Sequence, residues 1–377
     1  MDANVYIVKC ESYEKADEKV GELLALMGGM GQFAKAGEKI TLKANLLAAS
    51  SPEKAVTTHP AIVAAVGKLA KGEGAIPMIA DGPGSGYLHT EATLRKVYKT
   101  CGMLDVAEQA GIDINMDTGS DKVSFPQGKV VKRLDVIKPI TQADGVFNLC
   151  KMKTHMLMHV TGAVKNCFGI IPGLSKVGYH AKMYKKSSFA DMLLDLTLYV
   201  SPRLSIMDAV LAMEGEGPGA SGTPRQVGLL LASTSPLALD VVAGEIMGLP
   251  RDLNPVLMAA EKRGMTPYRI EDVNIIGEEL APLIIPDYKF TATVDALVRK
   301  AGKSAKDGGA PAPEQAQYPV VSEEKCIGCG ICVDSCPQKT IALETLQGKS
   351  HAVIDPENCI RCYCCHELCP HAAIEIK

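Results

Sequence analysis

DGVFNLCKMKTHMLMHVTGAVKN, residues 144–166, decides how the chain is read. The run Val146 to Cys150 has the length and apolarity of a buried strand, and Lys151, Lys153 and His155 continue its alternation on one face. Open α/β sheets build their sites at strand carboxyl ends. Residues 153–169 hold two lysines, two histidines and an asparagine, with no Asp or Glu among them. Thr161 and Gly162 look like a helix start, with Thr161 as N-cap and with Lys165 and Asn166 about one turn inside. A helix amino terminus joined by Lys151, Lys153, His155 and Lys165 makes a site for a carboxylate or phosphate. Asn166 would orient a carbonyl there, and a histidine would move a proton near neutral pH. The blander alternative is a set of solvated lysines on a loop with one satisfied histidine. His155 and His159 would also suit a metal if they lay on a helix, although no third ligand accompanies them.

Outward from this stretch, strand-like and helix-like segments alternate. VYIVK (5–9), KITLKANLL (39–47), AIPMIAD (75–81), 131–137, RLSIMDAV (203–210), VGLLLAS (227–233) and DVNIIG (272–277) read as strands. HPAIVAAVGKLAKG (59–72), a segment from Thr90 to Gly111, PLALDVVAGEIMG (236–248) and NPVLMAAEKRG (254–264) read as helices. The expected fold is α/β, a largely parallel sheet with flanking helices, over residues 1–300. Two glycine-rich turns follow strands, DGPGSG (81–86) and MEGEGPGASG (213–222). Neither has the spacing of a dinucleotide fingerprint, and each is equally readable as a tight loop. Residues 301–319, AGKSAKDGGAPAPEQAQYP, read as a linker.

Composition narrows the classes. The 377 residues are 47% hydrophobic and 22% charged, as in an ordinary globular enzyme. A net charge of −3 gives no basic field for nucleic acid or an anionic membrane, and no Trp is present for base stacking. No apolar stretch approaches a membrane span and no secretory signal is read at the amino terminus, so the expected location is cytoplasmic.

Of thirteen cysteines, nine fall between Cys326 and Cys369. CIGCGICVDSCP (326–337) and CIRCYCCHELCP (359–370) each spell C-x2-C-x2-C-x3-C-P. Residues 320–377 therefore resemble a bacterial two-cluster 4Fe–4S ferredoxin domain, a small α+β unit. In that pattern the fourth cysteine of each run serves the other cluster. Cys326, Cys329, Cys332 and Cys369 would hold one 4Fe–4S cluster, and Cys359, Cys362, Cys365 and Cys336 the second. Cys364 falls outside the pattern and reads as a free thiol. Zinc and disulfides fit the triplet spacing less well.

The larger part resembles the domain-of-unknown-function family 362. The resemblance is carried by Lys43-Ala44-Asn45, DGPG (81–84), KMKTH (151–155), TGAVKN (161–166), His180 after GLSKVGY, MDAVLAMEGEGPG (207–219) and the helix bearing Asp240. It implies one shared site made of Asn45, Asp81, Lys151, Lys153, His155, Lys165, Asn166, His180, Asp208 and Glu214, with His155, Lys165 and His180 in catalytic roles. The family name supplies no reaction. Three functions stand open: an oxidoreductase passing electrons to a small anionic substrate, with an external protein as electron donor or acceptor; an electron-transfer subunit docking a partner enzyme; or a non-redox lyase or isomerase whose clusters are structural or sensory.

Overall fold

The computed structural model describes residues 3–85, 87–173, 175–307, 317–346 and 348–377. Its centre is a mixed sheet. From one edge the strands run Asn274–Gly277, Asn4–Lys9, Gly222–Ser233, Leu204–Gly215, Gly145–His155, Lys39–Lys43, Ile76–Ala80 and Asp113–Ile114. A short return strand, His159–Thr161, folds back on Gly145–His155. Pairing is parallel throughout except on the two sides of Gly222–Ser233 and at that return. The fold is thus α/β, with a mostly parallel sheet flanked by helices.

Both faces of the sheet are covered, which explains the near-continuous apolar character of its strands. On one face Val8, Leu42, Phe147, Leu149, Ile206 and Leu230 pack under the helices Ala16–Leu26, Pro60–Gly72, Glu91–Thr100 and Met103–Ala110. On the other, Ile7, Cys150, Met152, Met207, Leu229 and Leu231 meet the helix Pro236–Ile246. Neighbouring residues thus go to opposite layers, the period-2 signature of a strand. Gly145–His155 is buried along its whole length, including its two lysines and its histidine. It occupies the middle of the sheet, with its charged end at the carboxyl edge.

Several boundaries move. The helix expected from Thr90 to Gly111 divides into Glu91–Thr100 and Met103–Ala110, because Gly102 adopts φ +74° between them. Strand Arg133–Ile137 pairs with Ser120–Ser124 in a separate hairpin. Helix Ala292–Asp307 covers the start of the stretch expected as a linker, and residues 308–316 of that stretch lie outside the described residues. The helix Lys186–Val200, largely buried, has no counterpart in the sequence reading.

The carboxyl-terminal unit has two small sheets, Pro319–Val321 with Ile374–Ile376 and Ile341–Leu346 with Lys349–Ile354. Each cysteine run leads into a one-turn helix, Ile331–Ser335 or Cys364–Leu368. The repeat persists in the backbone. Gly328 and Gly330 adopt φ +68° and +79°, and the equivalent Arg361 and Tyr363 adopt +55° and +61°. A side chain in this left-handed region costs about 1–2 kcal/mol. The second run accepts that cost at Tyr363, whose ring packs against the core of the larger unit.

Candidate functional site

Two cavities in the small unit are lined by thiols. Cys326, Cys329, Cys332 and Cys369 surround one, and Cys336, Cys359, Cys362 and Cys365 surround the other. Each set draws three cysteines from one run and the last from the other. Backbone N–H groups point at several sulfurs: Ala352 to Cys326, Thr340 to Cys336, Arg361 to Cys359 and Ala373 to Cys369, at 3.2–3.5 Å. Such donors stabilise thiolates and tune the potential of a cluster bound to them. Four soft sulfurs around an otherwise apolar hollow suit a cubane, whose irons take ligands at separate corners. Among the described residues no His, Cys, Asp or Glu group converges on a single-ion site.

The short helix Cys364–Leu368 lies against the carboxyl edge of the large sheet. His366 brings one ring nitrogen to the Glu216 carbonyl (3.1 Å) and the other to the Ile374 carbonyl (2.6 Å). Gly219, in the second glycine-rich loop, allows the closest approach: a Cβ there would sit 2.0 Å from the Glu367 carbonyl oxygen. Here glycine serves contact between two backbones, not a phosphate.

Beside this seam lies a cavity of about 50 Å³, lined by Asn45, Asp81, Lys165, Asn166, Lys176, His180 and Glu367 along with Phe168 and glycines of the 82–84 turn. Five residues expected at the site line it. His155 stands behind Glu367, its Nε2 3.1 Å from Oε1. Its Nδ1 accepts hydrogen bonds from the backbone N–H of Leu157 and Met158, so the ring proton of the neutral imidazole is on Nε2, facing Glu367. Lys153 donates to Asn45 Oδ1 and the Val56 carbonyl, both at 2.7 Å. Asn45 donates in turn to Asn166, and Asn166 to Asn148, a chain that fixes the amide orientations. Asp81 pairs with Lys43 at 2.8 Å and accepts from Leu46 N–H. Lys176 donates to the carbonyls of Gly82, Pro83 and Ile171, so the first glycine-rich loop turns its oxygens on an ammonium.

Other expected residues lie apart. Lys151 and Asp208 form a fully buried pair at 2.7 Å, closed by the Tyr13 hydroxyl and by His59 N–H. Glu214 pairs with Arg225 and accepts from Lys289 N–H. The helix start is also occupied from within. Thr161 does not cap it; Asp240 accepts from Ala163 and Val164 N–H at 2.5 and 3.0 Å, across a glycine, Gly162, whose missing side chain leaves room for the carboxylate. The amino terminus of Ala163–Asn166 is therefore closed to a ligand. His155 and His159 face each other across a strand pair, not along a helix, and His159 is engaged by the Leu253 carbonyl and Lys186.

A model of the domain of unknown function DUF362 matches residues 40–245, more than half of the chain, and a 4Fe–4S dicluster domain matches residues 325–373. A curated thylakoid-associated protein of Synechocystis sp. is 35% identical over 278 residues, 72% of this chain and 83% of that one. The chain belongs to the DUF362 family. It also carries a ferredoxin-type 4Fe–4S domain. The lactate racemase apoprotein of Thermoanaerobacterium thermosaccharolyticum superposes with a TM-score of 0.41 at 13% identity, covering 66% of this chain and 57% of that one. Among the described residues no helix is long and apolar enough to cross a membrane.

Burial and repulsion set the charge states around the cavity of this DUF362 protein. His180 is pushed down to about 3 by burial, then by the Lys165 and Lys176 charges. His155 falls well below the usual histidine range, first by burial and then by Lys165 and Lys153. Burial lowers Lys165 as well, opposed by Glu367 and Cys364. Glu367 is raised by burial against the pull of Lys165. Both histidines are thus neutral at pH 7. Because His180 titrates lower in the folded chain than in the unfolded one, its contribution to stability is complete above about pH 6.5 and is lost as pH falls toward 3. The unfolding free energy of the wild type, from urea titrations, should fall more steeply between pH 6 and 4 than that of His180→Asn, by about 1.4 kcal/mol per pH unit. Equal slopes would remove His180 from the buried neutral set.

A larger cavity, about 700 Å³, opens between the hairpin 120–137 and the helix Ser175–Lys182 and contains none of the expected residues. Glu367, Lys176 and Tyr13 are site or support residues that sequence reasoning did not name, and Asp240 is one that it named without this role. Each acts across more than a hundred positions, except Lys176 and Asp240, which act across about ninety and eighty.

Proposed function

We propose that this protein is an iron–sulfur oxidoreductase in which two 4Fe–4S clusters, held by Cys326, Cys329, Cys332 and Cys369 and by Cys336, Cys359, Cys362 and Cys365, relay electrons to a small anionic substrate in the cavity at Lys165. The observation that carries the reading is Glu367. It lies between cluster-ligand candidates Cys365 and Cys369 in sequence, yet its side chain lines the cavity and contacts His155. When bound, the clusters would supply single electrons at low potential. Lys165, which makes no hydrogen bond or ion pair among the described residues, would hold the substrate's anionic group. The Asn45–Asn166–Asn148 chain would orient a carbonyl or carboxylate oxygen. His180, with Nδ1 buried and unpartnered, would move a proton at the cavity wall, and His155 Nε2–H would do so through Glu367. The exposed Ile327, at 62%, and the exposed Cys329 give an external electron-transfer protein a place to approach.

Anaerobically isolated protein should carry about eight irons and about eight sulfides per chain. After reduction it should be reoxidised by at least one member of a panel of small carboxylates and phosphates, followed by the return of cluster absorbance. Full iron content with no reoxidation across the panel would favour the electron-transfer subunit. Turnover of a panel member without reductant would favour the non-redox enzyme.

A further inference from the structure

Lys165 and Glu367 line the same cavity but do not pair with each other. Glu367 is 6% exposed, and its Oε1 lies 3.1 Å from His155 Nε2 without forming a hydrogen bond, so that oxygen is buried and unsatisfied. Its other oxygen, Oε2, has no hydrogen bond or ion pair among the described residues, and the Lys165 ammonium is in the same condition. Opposite charges that face one small buried space without meeting leave the desolvation of both uncompensated. A ligand that spans them restores the balance. The remaining walls add no competing charge: Asp81 is held by Lys43, Lys176 by backbone carbonyls, and Asn166 and Asn45 by one another. His180 contributes Nδ1, buried and without a partner. In a cavity of about 50 Å³ there is room for only a few heavy atoms, since one water needs about 10–15 Å³ by the same measure.

We infer that the pocket selects small dipolar molecules, with an anionic group on Lys165 and a hydrogen-bond donor on the Glu367 carboxylate, and that Glu367 is the specificity residue for the second end. The inference rests on the anion site proposed above and adds the requirement for a donor. It also makes selectivity a property of the cysteine-rich unit, which supplies the residue.

Acetate, glycolate and glycine share a carboxylate and differ at the other end: no donor, a neutral donor and a charged donor. Their affinities for anaerobically isolated full-length holoprotein can be read by titration calorimetry. Glycine should bind at least about tenfold more tightly than acetate, the scale of one hydrogen bond to a charged group, with glycolate between. Glu367→Ala should erase the preference and leave the cluster spectrum unchanged, with acetate still bound. If Glu367→Ala loses acetate binding as well, Glu367→Gln decides, since it keeps the volume and removes the charge: glycine should then fall to the level of glycolate. Equal affinity for acetate and glycine in the wild type overturns the inference and leaves the anion site standing, as does a preference unchanged by the deciding variant. Failure of all three to bind overturns the anion site itself.

Discussion

Lys165→Met should abolish substrate-dependent reoxidation of the reduced clusters, with a rate loss of at least about 100-fold, the scale seen when one charge-stabilising group is removed from an active site. Iron content and visible absorbance should not change. The ammonium faces a cavity outside the thiol-lined hollows, so its loss touches none of the eight cysteines that line them. Its contacts are few: a Phe168 ring 5.8 Å away and no hydrogen bond among the described residues. Methionine of similar length fills the space, and removing an unpaired, half-buried cation relieves its partial desolvation, so the variant should be no less stable than the wild type. Stopped-flow reoxidation of equal amounts of reduced wild type and variant gives the answer. A variant that reoxidises at the wild-type rate would show that the substrate does not use this charge.

Asp208→Asn should cost about 3–5 kcal/mol of stability, because it strands the Lys151 ammonium in the middle of the sheet. Both side chains are 0% exposed and 2.7 Å apart, and Tyr13 and the His59 backbone complete the shell. Burial already lowers the lysine, and Asp208 is the group that opposes this. The double variant Lys151→Met with Asp208→Leu should recover much of the loss, since apolar groups of similar volume need no compensation. Chemical denaturation of the wild type, the single variant and the double variant under anaerobic conditions measures both the loss and its recovery. A single variant with native stability and lost turnover would return the pair to the substrate.

The strand Gly145–His155 was legible because its alternation and apolar length are local properties, and so were the two cysteine runs, whose spacing is fixed by the geometry of one loop. The lysine and histidine residues at its end were also legible as unusual, but not their partners. Lys151 finds Asp208, Lys153 finds Asn45, and the helix start finds Asp240, all through sheet and helix packing that no local pattern encodes. The expectation that the lysines converge on one ligand therefore divides in the structure: Lys165 faces the cavity, Lys153 supports Asn45 beside it, and Lys151 belongs to a separate pair. The segment that carries Glu367 did leave a trace. Superposing the two cysteine runs pairs Gly330 with Tyr363, Ile331 with Cys364 and Val333 with His366, and these departures from the repeat are the residues that meet the large unit: Tyr363 packs on its core, Cys364 stands near Lys165, and His366 reaches Glu216.

The segment that carries Glu367 is anchored at both ends by different hollows: Cys365 belongs to one thiol-lined cavity and Cys369 to the other. Within that five-residue span His366 adds its own anchors, to the Ile374 and Glu216 carbonyls. On the proposed ligation, filling both hollows would clamp the two ends of this span and with them the wall that Glu367 gives the cavity.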